Sequence, residues 1–177
     1  MSWEDIGNDK EYDLINVVSN KSSMSKGDKL QFRNIDKWSS FIDTFTQLKI
    51  TSGKAKIYGK LTESLTSEFA ASSQEYKLAC MFNSSTSLVD ASELNLNDII
   101  ISTGCYYSMF EGCTSLTSAP ELPATELASY CYDNMFFGCA KITELHYPAS
   151  IENDSTFKNL DGSPNFGADN ATVYYDL

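Results

Sequence analysis

The stretch Cys105–Ala119, CYYSMFEGCTSLTSA, returns 26 residues later as Cys131–Leu145, CYDNMFFGCAKITEL. Cys105 aligns with Cys131, Met109-Phe110 with Met135-Phe136, Gly112-Cys113 with Gly138-Cys139, and Leu116 with Ile142. A weaker copy lies 28 residues before the central one, where Met81-Phe82, Leu88 and Ala91 hold the same relative places and both frame cysteines are missing. In this copy Cys80 aligns with Ser108 and Asn134. A unit of this size cannot bury its own apolar face, so neighbouring units must stack to make a core. Equal positions then lie over one another. This predicts a structural ladder in which Cys105 covers Cys131, Cys113 covers Cys139, and Phe110 covers Phe136 inside the core.

A period in the twenties is the spacing of leucine-rich repeats. The pattern CYxxMFxGCxxLT, followed by Ala119–Tyr132 (APELPATELASYCY), resembles the BspA-like, treponemal-type leucine-rich repeat of surface proteins from gut and oral bacteria and of proteins from their phages. The resemblance is specific over Cys105–Thr143, fair from Met81 and weak elsewhere. It implies an α/β repeat solenoid: a short right-handed stack of about three coils with parallel strands, used for binding rather than catalysis. It brings no catalytic residues.

The flanks read as caps, which an array needs to cover its terminal apolar surface and strand edges. Tyr12–Val18 is one apolar run, and Lys29–Arg33 alternates like a strand. Asp36–Phe45 fits either one face of a short helix or a loop. Gln47–Thr51 and Ala55–Gly59 alternate like two strands of a hairpin joined through Ser52-Gly53-Lys54. Similar segments precede these repeats in the family as a small β module. Thr62–Phe69 reads as a short linking helix with Thr62 as its cap. The organisation expected is an N-terminal β-rich cap over 1–66, repeats over 67–150, and a C-terminal cap over 151–177 ending in a strand at Ala171–Tyr175. Within the repeats, Leu94-Asn95-Leu96-Asn97 adds two residues before the central unit. Tyr107–Phe110 is expected to form a helical turn, and Gly112 a tight exit with positive φ.

A formal charge of −11 and a pI near 4.4 argue against nucleic acid, whose phosphates need clustered Lys and Arg. The longest aliphatic cluster, Ile99-Ile100-Ile101, is far short of the ~20 residues of a membrane span. Met1–Asn20 lacks the charged start and apolar stretch of a signal peptide. Either an export signal has been trimmed, or the chain leaves the cell by another route, as a virion protein does at lysis.

Four of the five cysteines are locked to the repeat and read as small buried hydrophobes; disulfides and metal ligation are the alternatives. Cys-x7-Cys is not a zinc knuckle. Asp161, Asn165, Asp169 and Asn170 fit no EF-hand loop, and turn chemistry accounts for them. Neither metal nor cofactor is expected. His146 is the only histidine, and no GxSxG elbow accompanies it. A thiol hydrolase built on Cys80 and His146 is a distant alternative.

Positions that vary between repeats are those the fold does not dictate, and they should face outward. Tyr107 against Asp133 and Glu111 against Phe137 are such pairs, and an exposed aromatic can anchor a partner. The strand positions Thr117, Ser118 and Glu144 form a competing surface. The function expected is a non-enzymatic recognition or structural module outside the cell. Its partner would be a protein, either a virion component or a host surface. The favoured form is a virion accessory, either capsid decoration or fibre-associated; a cell-surface adhesin fragment is the alternative.

Overall fold

The computed structural model describes residues 2–5, 12–15, 22–24, 29–31, 49–50, 53–61, 73–97, 99–152, 167–168 and 170–176. The segments Asp36–Phe45 and Thr62–Phe69, and the Asp161, Asn165 and Asp169 part of the acidic turn, lie outside them. Among the described residues the strands are β1 (Ser2–Asp5), β2 (Tyr12–Ile15), β3 (Ser22–Met24), β4 (Lys29–Gln31), β5 (Lys49–Ile50), β6 (Ala55–Lys60), β7 (Leu88–Asn95), β8 (Glu144–Tyr147) and β9 (Thr172–Tyr175). One sheet runs β4-β1-β6-β7, a second β3-β2-β5, and a third β8-β9.

The first repeat begins its strand at Leu88, where Ala55 of β6 lies alongside it in parallel. The far side of β6 pairs antiparallel with β1, and β1 with β4. One edge of β7 is therefore covered. Its other edge meets the central repeat through a bridge between Asp90 and Ser118, with Thr117 N–H donating to Val89 C=O and Ala91 N–H to Ser118 C=O, both at 2.9 Å. At the opposite end, β8 pairs in parallel with β9, from Glu144 beside Thr172 to Tyr147 beside Tyr175.

Among the described residues, the hairpin expected between Gln47–Thr51 and Ala55–Gly59 does not form. β5 lies next to β2, and β6 lies between β1 and β7. The link between them is held by the first repeat. Ile50 N–H donates to Ser85 Oγ at 3.2 Å, Ser87 N–H to Ile50 C=O and Ala55 N–H to Ser87 C=O, both at 2.9 Å. Once Ser85 and Ser87 occupy those backbone groups, the two strands part into different sheets. The extra length of the first repeat is taken up by β7, which runs through Asn95 and closes with Asn97 N–H on Asn95 Oδ1 at 2.9 Å.

Each repeat also contains a turn segment: Tyr76–Ser85, Gly104–Cys113 and Tyr130–Cys139. None is a helix. Within the first, the N–H groups of Ala79, Met81, Asn83 and Ser85 turn back to the carbonyl three residues earlier. The N–H groups between them, of Leu78, Cys80, Phe82 and Ser84, donate to Cys105, Tyr107, Met109 and Glu111 of the central segment. Tyr106, Ser108, Phe110 and Gly112 then donate to Cys131, Asp133, Met135 and Phe137. An α-helix would keep all these donors within one segment. Here half of them tie neighbouring segments together, and Ser108, at φ 50°, breaks the helical turn expected over Tyr107–Phe110.

Side chains at equal repeat positions share the core. Phe82 stacks on Phe110 with centroids 5.3 Å apart, and Phe110 on Phe136 at 5.6 Å. Tyr106 stacks on Tyr132 at 5.6 Å, and Tyr132 meets Tyr147 edge-on at 6.0 Å. Tyr147 in turn touches Tyr175 of β9 at 6.2 Å. One apolar cluster extends from Ile50 to Ala168, so Ile50 of β5, β6, the repeats and β9 pack on a shared core.

Candidate functional site

The turn segments are built on a four-residue beat. Tyr76, Cys80 and Ser84 have positive φ, as do Gly104, Ser108 and Gly112, then Tyr130, Asn134 and Gly138. A left-handed residue costs an L side chain roughly 1–2 kcal/mol. Layering supplies compensation in the first two segments, where the N–H of each such residue donates to a carbonyl in the following repeat. Gly104 has a second reason to lack a side chain: a Cβ there would lie 2.4 Å from the Tyr76 ring.

The cysteines are free thiols, all buried. Cys113 Sγ donates to Phe82 C=O at 3.2 Å, and Cys139 Sγ repeats the bond to Phe110 C=O at 3.1 Å. At this position cysteine is both a small apolar filler and a donor to the preceding coil. Ser85 replaces it in the first repeat, where the neighbour is an N–H donor, Ile50, and an oxygen acceptor suits it better. In the other column, the residue equivalent to Cys105 and Cys131 is Lys77. Its stem is buried and its Nζ donates to Ile100 C=O at 3.2 Å. Burial lowers its pKa, and its charge in turn moderates the rise at Cys105.

Burial pushes the thiols of Cys80 and Cys105 up to about 11, and those of Cys113 and Cys131 well above the ordinary value. A thiol held there supplies very little thiolate at neutral pH. His146 Nδ1 lies 2.8 Å from Asp176 Oδ1, and its ring stacks on Tyr174 at 5.0 Å. Among the described residues no hydrogen bond or ring contact joins Cys80 to His146, and no group of three or more His, Cys, Asp and Glu is placed to hold a metal ion.

The candidate surface residues fall on separate parts of the molecule. Tyr107 and Asp133 lie half-buried on the turn segments, at consecutive places in the zipper. Glu111 is engaged by Asn83 Nδ2 at 3.2 Å. Phe137 is 53% exposed and has Gly167 packed on its backbone. Thr117 and Glu144 are exposed on the strand side, with Ser118 half-buried. Thr117 Oγ1 donates to Val89 C=O at 3.0 Å, so it is tied to the neighbouring repeat.

Two features escaped the sequence reading. One is an aromatic group on the turn side. Tyr107 meets Tyr76 edge-on at 5.8 Å and 79°, and Tyr130, at the place equivalent to Tyr76, is 56% exposed. The signal available was Tyr at equal positions in the outer repeats, hidden because the central repeat has Gly104 there. The other is an open groove of about 310 Å³ lined by Ser92–Asn97, Glu121 and Pro123.

No family model, curated protein or solved structure matches this chain. Among the described residues no helix is long and apolar enough to cross a membrane.

Proposed function

We propose that this chain is a short leucine-rich-repeat solenoid of the BspA-like kind, acting as a non-enzymatic recognition or structural module outside the cell. The observation that carries this reading is the zipper between turn segments, with the Phe82–Phe110–Phe136 stack beneath it. Such packing commits the stacked rings, the thiols of Cys113 and Cys139 and about half of the backbone donors of the first two turn segments to contacts between repeats. What remains is a stiff outer surface whose residues differ from coil to coil, as a protein-binding face requires.

Within that class we favour a virion accessory protein, bound to a capsid or a fibre. The motif's occurrence in phage proteins motivates this choice. The test is to purify particles from a culture carrying the gene by density gradient and to probe the fractions with an antibody to this chain. The chain should co-sediment with the particles at a fixed ratio to the main capsid protein. Recovery only in the bacterial envelope would replace this reading with that of an adhesin. Recovery only in the soluble cell fraction would overturn both.

A further inference from the structure

Tyr76, Tyr107 and Tyr130 gather on the turn side. Tyr76 covers Gly104, the residue equivalent to itself and to Tyr130 in the neighbouring coil. Tyr107 stands edge-on to Tyr76, so the two rings make a corner. The hydroxyl of Tyr76 is held above its ordinary range first by burial, and then by Tyr130, Tyr107, Glu75 and Asp133. Tyr130 follows Gly104 in the column that Tyr76 begins, and Asp133 follows Tyr107 at the next place along the zipper. Glu75 and Tyr130 are exposed, and Tyr76, Tyr107 and Asp133 are half-buried.

Among the described residues, the charges on the turn segments are mainly acidic. The turn segments carry Glu111 and Asp133, with Glu75 just ahead of the first, and their single basic residue, Lys77, sends its amine to Ile100 C=O. Aromatic faces attract cations, and a neighbouring carboxylate adds to the attraction. The whole chain, at −11, strengthens the field that draws a cation in.

We propose that Tyr76, Tyr107 and Tyr130, with the carboxylate of Glu75 beside them, dock an arginine- or lysine-bearing segment of a partner protein. This rests on the reading of the chain as a recognition module and adds the chemistry of what it recognises. The rings supply flat faces for a guanidinium or the stem of a lysine, and the carboxylate of Glu75 pairs with its charge.

The test uses the full chain, labelled with nitrogen-15, and the blocked peptide Gly-Arg-Gly-Arg-Gly as probe. A peptide with citrulline in place of arginine is the neutral control. Amide shifts should concentrate at Glu75-Tyr76, Tyr107 and Tyr130–Asp133, and binding should weaken as salt rises. Tyr107→Ala, Tyr130→Ala and Glu75→Gln should each weaken it about two- to fivefold, the size of an exposed cation–π contact, while the spectrum elsewhere stays that of the folded chain. Equal binding of the citrulline peptide, unchanged affinity in all three variants, no binding at millimolar peptide, or shifts centred on the Glu93–Glu121 groove would each overturn the proposal. Particle co-sedimentation is a separate readout. If it persists without peptide binding, this site alone falls; if it fails while the peptide binds, the virion reading alone falls.

Discussion

At the scale of single residues, the left-handed array decides which glycines matter and why. Gly112 has φ 71°, and a Cβ there would meet Ser84 Oγ at 3.5 Å, an ordinary contact. Gly112→Ala should therefore cost only the backbone term, about 1–2 kcal/mol. Gly167 has a similar φ of 78°, but its Cβ would lie 2.7 Å from the Cα of Phe137. Backbone cannot swing aside as a side-chain tip can, so Gly167→Ala should lose clearly more than Gly112→Ala. Urea unfolding of the two variants side by side checks this, and equal losses would show that the approach to Phe137 relaxes freely. The same array explains why Ser108 and Asn134 stand where Cys80 stands. All three occupy the middle beat of their segment, at φ 50°, 53° and 57° for Ser108, Asn134 and Cys80. Asn is among the residues that tolerate this region best.

At the scale of elements, the central turn segment is held from both sides. Phe110 stacks on Phe82 at an interplanar angle of 18° and on Phe136 at 7°. Phe110→Ala should cost roughly 3–5 kcal/mol, as truncation of a buried Phe does. It should exceed Phe136→Ala, which breaks only one of these two ring pairs; each pair is worth about 0.5–1.5 kcal/mol beyond burial. Denaturation midpoints of the two variants decide the order. The positions that stack are those that the repeat alignment pairs, so this part of the architecture was legible in the chain. A residue recurring at a fixed interval in a self-stacking unit has few other places to go. The partition of the first sixty residues was not legible to the same degree. β5 and β6 alternate like hairpin partners, yet their pairing is set by Ser85 and Ser87, more than thirty residues away. The aromatic corner was hidden for a related reason. Its column reads Tyr76, Gly104, Tyr130, and the glycine that makes room for the Tyr76 ring is also what interrupts the pattern. Lys77 shows the opposite case, a cation in a thiol column, readable only once Ile100 C=O is seen to receive its amine.

At the scale of the whole molecule, one shared core couples the fate of its thiols to global stability. Cys80 and Cys105 are pushed up to about 11 by burial, and Cys113 and Cys131 stand well above the ordinary thiol value of 9.0. Their folded pKa values are raised, so the native state holds protons that the unfolded chain gives up. Stability is then full below the unfolded thiol pKa and is lost as pH climbs toward the folded one. Each thiol that ionises only on unfolding removes about 1.4 kcal/mol per pH unit between those limits. Four such groups reach the order of the ~5–15 kcal/mol that holds a small domain together. Tyr106, Tyr132 and Tyr147, also raised well above 10.0 by burial, add to the loss at the top of the range. The urea midpoint should therefore be steady from neutral pH to about 8.5 and fall steeply between about 9 and 11. The reacting groups lie in one buried cluster, so the loss should be cooperative: intrinsic tyrosine fluorescence and far-ultraviolet dichroism should report one transition. Cys105→Ala should make the decline shallower by about one group's share even though it lowers stability at pH 7. A midpoint that stays level to pH 10.5, or a Cys105→Ala variant with an unchanged slope, would mean that the thiols meet water in the native state and that the layers are looser than the hydrogen bonds between them require.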